Sequence, residues 1–66
     1  MILADKIIDL RKKAGWSQEE LAEKLAVTRQ SVSKWESGAS DPSTANLIAL
    51  AKLFGTTPEE LLKESQ

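Results

Sequence analysis

The chain is punctuated so often that no helix in it can stand alone. Glycines at 15, 38 and 55, with helix-starting hydroxyls at Ser17, Thr28 and Thr57, leave segments of roughly ten residues between stops. Isolated helices of that length are not stable in water, so whatever forms must be held by packing. Five short helices are read on this basis. Leu3, Ile7, Leu10 and Ala14 recur at helical spacing, and Gly15 closes the first helix. Ser17-Gln-Glu-Glu20 is a capping box, flanked by Trp16 and Leu21 at the two positions of a hydrophobic staple. A third helix follows Ala26-Val27, capped by Thr28 and stopped at Gly38. Ala39-Ser-Asp-Pro42 is a turn, because Pro42 disfavours helix at Asp41. The fourth helix starts around Ser43 and carries Leu47, Leu50, Ala51 and Phe54 on one face. Thr57-Pro-Glu-Glu60 repeats the start signal, with Pro58 as first helical residue and Leu61 and Leu62 docking the last turn. No strand pattern, linker, low-complexity segment or repeat interrupts this series. The expected fold is all-α, a compact five-helix bundle forming one domain over residues 1–66.

Composition narrows the function classes. With no cysteine, histidine or tyrosine, the usual nucleophiles and bases are absent, and so are thiolate and imidazole metal ligands. The Glu19/Glu20/Glu23 cluster reads as a cap and a solvated face, and no carboxylate loop for calcium is present, so neither metal nor cofactor is expected. A chain of 66 residues also has little room for an enclosed ligand pocket, and an enzyme is not expected. No apolar run approaches a membrane span, and MILADK is too short and acidic for a signal peptide. The expected location is therefore the cytoplasm. The net charge of −1 is low for a partner of nucleic acid, but the charge is unevenly spread. Residues 24–38 hold Lys24, Arg29 and Lys34 against Glu36 alone, whereas 57–66 hold Glu59, Glu60 and Glu64 against Lys63.

The stretch TRQSVSKWESG, residues 28–38, separates two kinds of side chain. Val32 and Trp35 lie three apart on one stripe, while Gln30, Ser33, Lys34 and Ser37 fall on the opposite side, with Arg29 near the start. Trp35 at this spacing reads as core, not as a stacking residue. The turn between the second and third helices is only a few residues long, which forces a steep crossing of the helix-turn-helix kind, about 90–120°. Ala22 suits such a crossing by letting the two helices approach closely. A helix held this way fits a DNA major groove roughly 12 Å wide, and Arg, Lys, Gln and Ser are side chains that read base edges there.

SQEELAEKLAVTRQSVSKWESG followed by DPSTANLIALAKLFGTTPEELL resembles the helix-turn-helix domain of the phage repressor and Cro superfamily, often called Xre-type regulators. The likeness covers about residues 5–62 and all five helices. It implies a lambda repressor-like DNA-binding fold and a transcriptional regulator, repressor-like, with residues of about 28–37 as the recognition helix. It implies base reading by Arg29, Gln30, Ser33 and Lys34, with Ser31 at the flank. It also implies phosphate contacts from Ser17 and Gln18, with help from Thr28, where a helix N-terminus favours an anion. An Arg in the first helix pairs with the Glu just ahead of the recognition helix's closing Gly in such proteins; here those positions are Arg11 and Glu36. Two positions depart from the pattern. Ala26 stands where the tight turn usually has Gly, and a left-handed residue there costs about 1 kcal/mol or more. Asp41 stands in a loop that is often basic, which implies weaker phosphate anchoring than usual.

A second class of function is a protein-interaction or antitoxin-type module on the same scaffold, since one fold hosts many functions. For the DNA-binding class, one recognition helix reads few base pairs. The expected partner is then double-stranded DNA with a palindromic operator, bound by a homodimer whose half-sites lie roughly 34 Å apart. The self-pairing surface is expected around the fifth helix, centred on whichever of Leu61 and Leu62 the core leaves uncovered.

Overall fold

Four of the five helices start on a hydroxyl side chain, and that chemistry sets the architecture. The computed structural model describes residues 2–63, so Glu64 lies outside the described residues. The helices are α1 (Leu3–Ala14), α2 (Gln18–Leu25), α3 (Arg29–Ser37), α4 (Thr44–Leu53) and α5 (Pro58–Leu62), with no strand among the described residues. Ser17, Thr28, Ser43 and Thr57 each accept the amide three residues on, satisfying a donor that the first turn leaves free. Only α1 starts without a side-chain cap, on Ile2.

The two boxes expected from the sequence differ in outcome. At α2 both arms close: the Glu20 amide donates to Ser17 Oγ at 3.0 Å, and the Ser17 amide donates to Glu20 Oε1 at 2.8 Å. At α5 only the Thr57 arm forms, with the Glu60 amide at 3.1 Å. Glu60 is exposed there, and its backbone carbonyl accepts from Lys6 Nζ of α1 at 2.8 Å.

The helix ends carry the turns. Gly15 and Gly38 are left-handed, as their residue type allows. Ala26 is left-handed too (φ 57°, ψ 41°), the one described non-glycine residue with positive φ. That conformation costs an L-residue roughly 1–2 kcal/mol. It is held because its amide and that of Val27 return to the carbonyls of Glu23 and Ala22, tying off the end of α2. The fourth helix stops earlier than expected: Phe54 is its cap, and Gly55 takes the positive φ one residue later.

Ile7, Leu21, Ala22, Val32, Trp35, Leu50, Ala51 and Leu61 form one buried cluster fed by all five helices. α3 packs on α1 and α2, α2 also on α4, and α5 on α1 and α4. Ala22, 3% exposed, lies in this cluster beside the α2–α3 turn, as a close helix approach requires. Two positions differ from the sequence reading. Ala14 is exposed, because the last turn of α1 runs past the core. Leu62 is 57% exposed, because α5 is one turn long and can turn only one of its two leucines inward. Trp16 is half-buried, and besides flanking the α2 cap it leans on Phe54 with ring centroids 5.6 Å apart, while Lys24 Nζ sits 4.6 Å from its ring.

Candidate nucleic-acid interface

Burial of Val32 (0% exposed) and Trp35 (5%) decides how α3 presents itself. With that stripe inward, Arg29, Gln30 and Lys34 are exposed and Ser31 and Ser33 half-buried. Arg29 and Lys34 have no carboxylate partner among the described residues. Their cationic heads, the Gln30 amide and the Ser33 hydroxyl thus remain available to a ligand. Ser31 is more committed. Its hydroxyl lies 3.0 Å from Thr28 Oγ1, and its amide donates to the same oxygen at 3.1 Å, so it belongs to the cap as much as to the outward face.

Glu36 is the acid that could have spoiled this face, and the fold withdraws it. Arg11 Nε donates to Glu36 Oε2 at 2.6 Å and Nη2 donates to Oε1 at 3.0 Å, a two-pronged pair with side chains only 13% and 6% exposed. A third arm, Arg11 Nη1, donates to the Trp16 carbonyl at 2.9 Å. The expected α1–α3 ion pair is therefore present, and it also clamps the residue just ahead of the α2 cap. The hydrogen bonds that Arg11 donates to Glu36 raise the Arg11 pKa above its ordinary value, against the opposing effect of burial. The sign follows: this contribution to stability is complete below the ordinary arginine value and is lost only as pH climbs through the raised one. The guanidinium is charged at every working pH.

The candidate phosphate contacts divide. Ser17 is exposed, and its hydroxyl, already an acceptor for the Glu20 amide, keeps its own proton to donate. Thr28 is exposed at the start of α3. Gln18 is half-buried, and its Nε2 donates to Glu36 Oε1 at 3.0 Å. Sequence reasoning missed that bond. Residues 18 and 36 sit on different helices, and no local spacing links them; only the family position of Glu36 hinted that its neighbourhood was organised. No group of three or more carboxylates that could hold a metal occurs among the described residues.

Fold and face together define a class: a small helix-turn-helix bundle that holds the polar side of its third helix clear of the core. A helix-turn-helix family profile matches residues 7–61. The chain belongs to this family, the phage repressor and Cro-type (Xre-type) helix-turn-helix proteins. It is 43% identical over 58 residues to the HTH-type transcriptional activator BcrR of Enterococcus faecalis, covering 88% of this chain and 28% of BcrR. A crystal structure of the P22 c2 repressor with synthetic operator 9T matches at a TM-score of 0.91 and 31% identity, covering 98% of both chains. SinR, the master regulator for biofilm formation, in complex with DNA matches at 0.85 and 28% identity, covering 94% of this chain and all of that one. The chain spans about a quarter to a half of the length of the curated relatives first matched.

Proposed function

We propose that this chain is the sequence-specific double-stranded DNA-binding domain of a transcriptional regulator, with α3 lying in the major groove. The observation that carries the reading is the orientation of α3: Val32 and Trp35 are buried, and the exposed side is built of base-reading residue types. Arg29 and Lys34 would read guanine, Gln30 adenine, and Ser33 any of several bases, with Ser31 at the flank. Ser17, Gln18 and Thr28 would donate to phosphates, assisted by the free amides at the starts of α2 and α3. The P22 c2 likeness supports repressor-like action, and a DNA target is in keeping with a cytoplasmic location.

Assembly is part of the proposal. Two copies on a palindromic operator, half-sites roughly 34 Å apart, would double the few base contacts of one helix. Leu62 and not Leu61 is the uncovered leucine of α5, so a self-pairing surface there would centre on Leu62.

Random-oligonucleotide selection at two salt concentrations, followed by footprinting, tests the reading. A defined site is expected. Gln30→Ala and Lys34→Ala should each cost about 1–3 kcal/mol at one base pair and relax preference there. Failure to select any site would leave the protein-interaction reading. A single protomer on a non-palindromic site would overturn the dimer.

A further inference from the structure

We propose that Glu36 is a positioning residue for DNA binding, acting through Gln18: the Arg11–Glu36–Gln18 chain sets one amide proton of Gln18 toward the phosphate contact at the start of α2. The inference rests on the DNA-binding reading above and adds a role that the α1–α3 ion pair alone would not have.

The geometry closes a ring. Arg11 grips both oxygens of Glu36 and, with its remaining arm, the Trp16 carbonyl. Trp16 is two residues ahead of Gln18, and Gln18 returns to Glu36 Oε1 at 3.0 Å. The backbone entering α2 and the first side chain of α2 are thereby fixed to the same guanidinium–carboxylate pair, which is itself nearly buried.

The chemistry then leaves little choice. A carboxylate only accepts, so Gln18 must turn Nε2, not its carbonyl, toward Glu36. Phosphate oxygens also only accept. One proton of Nε2 is spent on Glu36, and the other, on the same planar nitrogen, has no partner among the described residues and can donate. An unrestrained glutamine would have to freeze its rotamers when DNA arrives. Here the carboxylate has already ordered it. Since Glu36 stands in the last turn of α3, the bond also ties the proposed phosphate anchor to the recognition helix, so that anchoring and base reading share one frame.

The test is a double-mutant cycle in DNA affinity. Gln18→Ala is made in the native background and in Arg11→Met/Glu36→Leu, which removes both charges together and so avoids stranding either one. In the native background Gln18→Ala should weaken binding to the selected site about tenfold, the scale of one charge-assisted hydrogen bond, without changing base preference. In the double-variant background the same change should cost at most about twofold, giving a coupling of about fivefold. Equal losses in both backgrounds, with native protein still binding its site, overturn the proposal and leave the DNA-binding reading intact. Absence of any selected site instead removes the reading on which the proposal rests. A measurement on the native protein needs no variant to fold: 15N relaxation of side-chain amides. The Gln18 amide should be ordered like the backbone, unlike that of exposed Gln30. A Gln18 amide as mobile as Gln30's overturns the proposal.

Discussion

The α2–α3 half of the molecule and the α4–α5 half share one apolar core but differ in the directed bonds added to it. Where α3 meets α1 and α2, a nearly buried ion pair, a closed capping box and a left-handed alanine lock side chains in directed bonds. At the α4–α5 end the helices lean on apolar burial through Leu50, Ala51 and Leu61, the α5 box has one arm, and Ile48 and Leu62 are left 40% and 57% exposed. Directed bonds fix orientation, whereas burial fixes only proximity. The half proposed to touch DNA is the half whose geometry is specified residue by residue, as a row of base-reading side chains demands. The other half adds its apolar residues to the same core and leaves Ile48 and Leu62 as exposed apolar surface.

The largest way to break this contrast is at Trp35, the aromatic that docks α3. Trp35→Ala should cost about 3–5 kcal/mol, enough to unfold much of a domain this size. Urea denaturation followed by circular dichroism measures it, and a loss below about 1 kcal/mol would mean that α3 is not held by its apolar stripe. Next is the bracket: Glu36→Ala should cost about 3 kcal/mol by stranding the Arg11 charge, while Arg11→Met/Glu36→Leu should recover most of it. Equal destabilisation of the single and double variants would show that the bracket stabilises by attraction and not merely by mutual neutralisation.

A smaller effect of opposite sign sharpens the comparison at the turn. Ala26→Gly should stabilise by about 0.5–1 kcal/mol, because relief of the left-handed strain exceeds the extra unfolded-state freedom of glycine. A lower melting temperature would mean that the Ala26 methyl is doing packing work the backbone strain conceals. The smallest effect belongs to the other half. Leu62→Gln should change stability by less than about 0.5 kcal/mol, since more than half of that side chain is already in water. Any large loss there would erase the distinction between the two ends; a change confined to sedimentation of the DNA complex would assign Leu62 to the dimer.

The elements and the direction of α3 were legible in the chain because they are local. A cap reaches three residues, a left-handed stop needs one, and Val32 and Trp35 declare a stripe by their own spacing. Arg11 and Glu36 were legible only through family resemblance, being 25 positions apart. What the tertiary structure alone decided is every choice between locally equal candidates. Ser17 and Thr57 announce the same box, yet only α2 closes both arms, while Lys6 of α1 reaches the backbone of α5. Leu61 and Leu62 are chemically identical, and the angle at which one turn of helix meets the core buries the first and exposes the second. Gln18 looks like any solvated first-turn residue until α3 brings Glu36 to within 3.0 Å of its amide. The division has one cause: hydrogen bonds and periodicity act within a few residues of chain, whereas a buried charge chooses its partners from whatever the folded bundle places beside it.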